Sequence, residues 1–239
     1  ITLGMGWLAF MVISDAIISP SGTGNIYMNA TPRVIYGWAK AGTFFKAFTH
    51  IDKASGIPRP ALWLTFGLSI FWTLPFPSWE QLISVVSAAL VLSYAIAPVT
   101  AAGLRRNAPD LPRPFRVRAF GIIGPVSFMI SALIVYWSGW NTLSWLLGLQ
   151  IVMFVVYVMC KGKVPEHTVS LAQQVKSSLW LIVFYALIIL FSWLGSFGGL
   201  NVIGHPWDTV LVAAMSLGIY YWGARSCLPQ ANFSGDEEE

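Results

Sequence analysis

The sequence predicts an all-α integral membrane protein of about seven transmembrane helices, and three observations carry that expectation. The 239 residues are 56% hydrophobic and only 10% charged, whereas a soluble domain carries roughly a quarter charged residues. Polar side chains cannot cover such a surface, so lipid must. The apolar residues gather into stretches of about 20, the length of a helix that crosses a bilayer. All 14 Lys and Arg fall into alternate connections between those stretches, which is the pattern the positive-inside rule produces.

The first stretch runs from roughly 3 to 40 and reads as one long helix, loosened at Ser19-Pro20-Ser21-Gly22. Its second half, DAIISPSGTGNIYMNATPRVIYGWAKAG from Asp15 to Gly42, holds small and polar residues and closes on Arg33, Lys40 and Gly42. Within a membrane, small residues allow close backbone approach, and Ser, Thr and Asn supply the polar atoms of a buried site. The next stretches run from 60 to 76, 80 to 104, 119 to 138, 140 to 160, 178 to 196 and 207 to 224.

Arg33, Lys40, Lys46, Lys53 and Arg59 follow the first stretch; Arg105, Arg106, Arg113, Arg116 and Arg118 follow the third; Lys161, Lys163 and Lys176 follow the fifth; Arg225 follows the last. The opposite turns, around Pro77, Gly139 and Gly199 to Pro206, hold no basic residue and at most Glu80, His205 and Asp208. The basic side is therefore expected to be cytoplasmic, with Ile1 outside and the C-terminus inside. A wrongly added span would scatter the basic residues to both sides, so the charges support the count. The net charge of +4 follows from topology and calls for no nucleic-acid partner.

The chain begins at Ile1 without a basic n-region, and it reads as the C-terminal part of a longer protein. Cys160 and Cys227 are too few for a disulfide framework and are expected to be free thiols. The acidic end, Asp236 to Glu239, reads as a disordered, solvated tail.

Asp15 lies about a dozen residues into the first stretch, roughly 18 Å along a helix and so near mid-membrane. An ionised carboxylate there costs at least ~2.5 kcal/mol. It is expected to tie two helices as a hydrogen-bonded or neutral group, to couple protons, or to contact substrate. Ser19, Ser21, Thr23 and Asn25 follow, with Gly22 and Gly24 between them. Pro20 removes a helical donor and frees a carbonyl of the preceding turn. Hydroxyls and free carbonyls suit a small cation or an ammonium group, although single residues of this kind also serve plain helix packing. Tyr27 is one turn beyond Thr23 on the same face, and Tyr94 in the third stretch offers another aromatic hydroxyl. His50, His167 and His205 are widely separated and lack metal-ligand spacing. No Gly-rich phosphate loop followed by Lys occurs, so neither a metal nor a cofactor is expected. Asn29-Ala30-Thr31 and Asn232-Phe233-Ser234 match the glycosylation pattern by chance, because both fall at the basic side.

The residues from Gly22 to Gly56, GTGNIYMNATPRVIYGWAKAGTFFKAFTHIDKASG, continue as GIPRPALWLT. They resemble the end of the eighth helix, the following loop and the start of the ninth in the amino acid, polyamine and organocation (APC) permeases. Thr31, Arg33, Val34, Tyr36, Lys40, Gly42, Gly56 and Pro58 carry the likeness; Pro32, Ala41 and Phe45 depart from the usual pattern. Among relatives, the SPSGTGNIY run and the extra C-terminal spans look most like the aspartate/proton symporter type. The resemblance implies an inverted-repeat, five-plus-five helix bundle with substrate between broken helices near the midplane. Residues 1–105 would be helices eight to ten of the transporter core, 106–227 four peripheral transmembrane helices, and 228–239 the acidic cytoplasmic tail.

It further implies substrate-binding roles for Thr23, Tyr27 and Tyr94, with Tyr94 at a gating position, and a coupling-ion role for Asp15, Ser19 and Thr23. Gly22 stands where sodium-coupled relatives have a second hydroxyl, which favours the proton over sodium. The implied partners are an amino acid, a proton, the bilayer of a bacterial inner membrane and the N-terminal half of the same transporter. The expected function is proton-coupled amino-acid symport by alternating access, without catalysis. An integral membrane enzyme acting on lipids is the alternative from another class, with His205 and Asp208 its only close pair; a non-transporting membrane subunit is the third.

Overall fold

In the computed structural model, residues 6–42, 44–74, 78–110, 112–159 and 171–228 are described. They form seven α-helices and one 3₁₀ turn, with no strand among the described residues. Helices close all their backbone hydrogen bonds internally, as a lipid solvent requires. The helices Trp79–Asn107, Phe120–Trp137 and the segment Lys176–Leu194 are each long and apolar enough to cross a membrane. The described residues divide into two compact units, 6–74 and 78–159 with 171–228.

The first unit is built on α1 (Gly6–Lys40), which contains both Pro20 and Pro32. The expected loosening at Ser19 to Gly22 does not occur, since the helix is continuous through it. A proline deletes one backbone donor, but a full break in lipid would strand several polar groups. Side chains also occupy backbone carbonyls of these turns: Ser21 Oγ donates to Ile17 O at 2.7 Å, and Ser14 Oγ to Phe10 O at 2.8 Å. Burial in α1 is confined to Pro32, Ile35 and Ala39 near its end, where the 3₁₀ turn Lys46–Thr49 and α2 (Arg59–Thr73) pack. Gly42, at φ 73, ends the helix in the left-handed region that glycine enters without strain. Phe44, Phe45 and Phe48 stack beyond it, with Phe44 also edge-on to Trp38.

The second unit is a bundle of α3 (Trp79–Asn107), α4 (Phe120–Trp137), α5 (Gly139–Met159), α6 (Leu171–Leu194) and α7 (Trp207–Ser226). Helix α3 begins where Ser78 Oγ accepts the Gln81 N–H at 3.3 Å, an N-cap. It buries Val85, Ala88, Leu92, Ala95, Val99 and Gly103, a stripe at three- and four-residue spacing, and packs against α4, α5 and α7. The bundle centre is aromatic: the Phe128 ring lies 5.1 Å from Phe184, 6.1 Å from Tyr220 and 6.4 Å from Trp180. Glycine permits the closest crossings. A Cβ at Gly223 would come within 2.8 Å of both Trp180 and Val99, so the backbone itself forms the contact surface.

The observed helices start and stop close to the expected stretches, and α7 (Trp207–Ser226) nearly coincides with 207 to 224. Pro77, Cys160, Lys161, Lys163, His167 and the tail 236–239 lie outside the described residues. Cys227 is a free cysteine, as expected.

Candidate functional site

The sequence-predicted residues of α1 come together along one side of the helix. Asp15, Ser19 and Thr23 recur every four residues and Tyr27 continues the row, so successive turns stack them. All are exposed within their own unit, Tyr27 at 52%. The Thr23 hydroxyl donates to Ser19 O at 3.0 Å. With its proton engaged there, the Thr23 oxygen presents lone pairs outward, which suits a cation or a donor group such as an ammonium. On a different face of α1, Asn29 Nδ2 donates to Asn25 O at 2.9 Å and to Asn25 Oδ1 at 3.3 Å.

Tyr94 belongs to the other unit. It stands on α3 opposite the stripe from Leu92 to Ala95 that packs into the bundle, and is 65% exposed. The large apolar area around the α1 row is also open: Phe10, Ile13, Ile17, Ile18 and Ile26 are all exposed. A bare face that combines such residues with hydroxyls and a carboxyl is one a membrane protein covers or uses.

The connection from α1 to α2 is fixed by Asp52. Its Oδ2 accepts from Ser55 Oγ at 2.6 Å and Ser55 N at 3.2 Å, and pairs with Arg59 at 2.9 Å. Gly56, at φ +66, closes the turn with its N–H on Asp52 O at 2.8 Å. The Ser55 hydroxyl holds the Asp52 carboxyl below its ordinary range against the opposing effect of desolvation, with Arg59 adding a smaller lowering.

The sequence offered Asp208 only as a neighbour of His205, and did not show that it is the most highly connected polar group among the described residues. Asp208, in the first turn of α7, is fully buried. Its Oδ2 accepts from Tyr136 Oη at 2.7 Å, from Ser196 N at 3.2 Å and from the Ser196 hydroxyl; its Oδ1 accepts from Thr209 N at 2.6 Å and Thr209 Oγ1 at 3.2 Å. His205 Nδ1 lies 3.6 Å from Oδ1. The pair His205 and Asp208 was visible in the sequence, whereas Tyr136 arrives from α4 and Ser196 from the turn after α6, at no regular spacing. With both oxygens engaged by donors, this carboxylate is a clasp for the α6 to α7 connection and has no lone pair directed at a substrate.

A family profile described as "Amino acid permease" matches residues 2–159. The chain is 56% identical over 238 residues to a protein named "Aspartate-proton symporter" from Bacillus subtilis (strain 168), covering 99% of this chain and 46% of that relative. It is 33% identical over 228 residues to "Glutamate/serine transporter AimA" from the same organism, covering 95% and 42%. It is also 19% identical over 160 residues to "Branched-chain amino acid permease BcaP", covering 67% and 34%. The chain thus spans about half the length, or less, of these relatives. No solved structure matches it.

Proposed function

The chain belongs to the amino acid permease family, and from that premise we propose that it is the C-terminal half of a proton-coupled amino-acid symporter of the aspartate/proton type. The observation that carries the proposal is the 56% identity, sustained over 99% of this chain, to a relative named for aspartate-proton symport. The relatives are named as transporters, which supports transport over the membrane-enzyme alternative.

In this reading the exposed row on α1 faces the helices of the N-terminal half, which would cover it. Asp15 is the group that gains and loses the proton. Ser19 and Thr23 offer oxygen lone pairs to the coupling ion or the substrate ammonium. Tyr27 and Tyr94 supply aromatic walls, with Tyr94 as the gate. Alternating access at a midplane site of this kind is a rocking of helices about a fixed polar centre. Residues 1–105 belong to the transporter core, 106–227 to peripheral helices, and 228–239 to a cytoplasmic tail. The multi-pass protein resides in the bacterial inner membrane with its basic connections in the cytoplasm.

The test is uptake of labelled amino acids by the full-length protein in proteoliposomes, with proton and sodium gradients imposed separately. Accumulation of aspartate driven by an inward proton gradient alone is expected. Accumulation that requires sodium, or that ignores both gradients, would overturn proton coupling.

A further inference from the structure

The starts of α3 and α5 border a polar cavity of about 280 Å³, lined by Glu80, Gln81 and Ser84 from one helix and Asn141, Thr142 and Trp145 from the other. Residues four apart, Glu80 with Ser84 and Asn141 with Trp145, stack on one face of their helix. The Ser84 hydroxyl donates to Glu80 O at 2.9 Å, so its oxygen lone pairs remain to accept. Glu80 is the one charged residue among those lining the cavity, and among the described residues no basic side chain pairs with it. Arg105 and Arg106, the basic residues of the same helix, stand roughly 38 Å away at its other end. An acid in a first turn complements the helix dipole. That role does not require the amides and hydroxyls that surround this one.

The cavity lies at a level that tryptophan marks. Trp79 opens α3, Trp137 closes α4, Trp193 lies in the last turn of α6 and Trp207 opens α7, and all four are exposed. Hydrogen bonds hold these helix ends together: Trp140 N donates to Phe197 O at 2.9 Å, and Tyr136 Oη to Asp208 Oδ2 at 2.7 Å. Exposed tryptophans gathered at one end of a membrane bundle sit at the depth of the lipid headgroups. The cavity therefore opens where headgroups are.

We propose that this cavity binds a zwitterionic headgroup through its primary ammonium. Glu80 would take the ammonium in a charge-assisted hydrogen bond, and Ser84, Asn141 and Gln81 offer oxygens for its remaining donors. Trp145 adds an aromatic wall, on which a cation can rest. The adjoining phosphate meets the backbone N–H groups that the first turns of α3 and α5 leave open, so a ligand carrying both charges fits better than either ion alone. A quaternary ammonium has no N–H to give, and a single tryptophan makes no aromatic cage for it. The volume is at the low end of the ~300–1,000 Å³ of small-molecule sites, enough for a headgroup. The same chemistry occurs in phosphatidylethanolamine and in soluble phosphoethanolamine; the tryptophan level favours the lipid.

Native mass spectrometry of the full-length protein, given equal amounts of phosphatidylethanolamine and phosphatidylcholine with identical acyl chains, reads the site. The ethanolamine lipid is expected to be retained several-fold over the choline lipid, and Glu80→Gln, which keeps the size but removes the charge, should bring the two to equality. Asn141→Ala, a neutral change in the opposite wall, should lower the preference without abolishing it. Millimolar phosphoethanolamine, added without lipid, separates the sources. Its binding to the unaltered protein but not to Glu80→Gln, with no lipid preference, would assign the site to a soluble zwitterion. Equal retention of both lipids with no binding of phosphoethanolamine overturns the proposal. So does a preference for the ethanolamine lipid that survives Glu80→Gln.

Discussion

The Tyr136 hydroxyl on α4 donates to Asp208 Oδ2 on α7 at 2.7 Å, across 72 residues of sequence. Ser196 and Thr209 complete the coordination of the carboxylate. Removing the hydroxyl with Tyr136→Phe takes one hydrogen bond from a buried charge, a loss of about 1.5–3 kcal/mol. Asp208→Ala should cost more, because it strands Tyr136, Ser196 and Thr209 donors at once. Unfolding in detergent, with both single variants and the double variant, checks this. A coupling between positions 136 and 208 of less than about 0.5 kcal/mol would mean that the bond contributes little.

Asp52 is partly exposed, and the Ser55 hydroxyl is the chief reason its carboxyl is held low. A carboxylate with a lowered folded pKa stabilises the fold above its unfolded value, and that contribution is lost as pH falls through the lower, folded one. The turn 52–59 is therefore expected to loosen only below the range where an ordinary Asp titrates, and Ser55→Ala should move the loosening upward in pH. Carbon-13 NMR of the carboxyl groups can follow it, since the chain has only 10 Asp and Glu.

Thr23→Val exchanges a hydroxyl for a methyl at nearly constant volume. The threonine is exposed in its unit, and its own hydrogen bond is to a carbonyl one turn back, so folding should be unaffected. If the oxygen serves the ion or substrate, uptake at matched expression should fall roughly tenfold, equivalent to about 1.4 kcal/mol. Uptake equal to that of the unaltered protein would remove Thr23 from the site.

Asp15→Asn keeps the size and most hydrogen-bonding capacity of the side chain but removes its exchangeable carboxyl proton. Proton-driven uptake should drop several-fold more than exchange of substrate across the membrane, because exchange can run without a proton cycle. An unchanged ratio of the two rates, measured in one vesicle preparation, would make Asp15 structural.

The helical class and the placement of α2 through α7 were legible in the sequence because a bilayer leaves the backbone one economical solution. Any apolar run of about 20 residues must satisfy its own N–H and C=O groups, and it does so as a helix wherever it sits. The row Asp15, Ser19, Thr23 and Tyr27 was legible for the same reason, since its spacing is a property of one helix. What the sequence alone could not decide was whether Pro20 breaks α1, since one missing donor is compatible with either outcome until the neighbouring turns are built. Nor could it join Tyr136 and Ser196 to Asp208, or Asn107 to Leu228. Those bonds link separate elements, helices and the turns at their ends, whose sequence intervals carry no period. Only the packing of the bundle, set by Gly223, Gly103 and the aromatic rings around Phe128, brings their atoms within hydrogen-bond range.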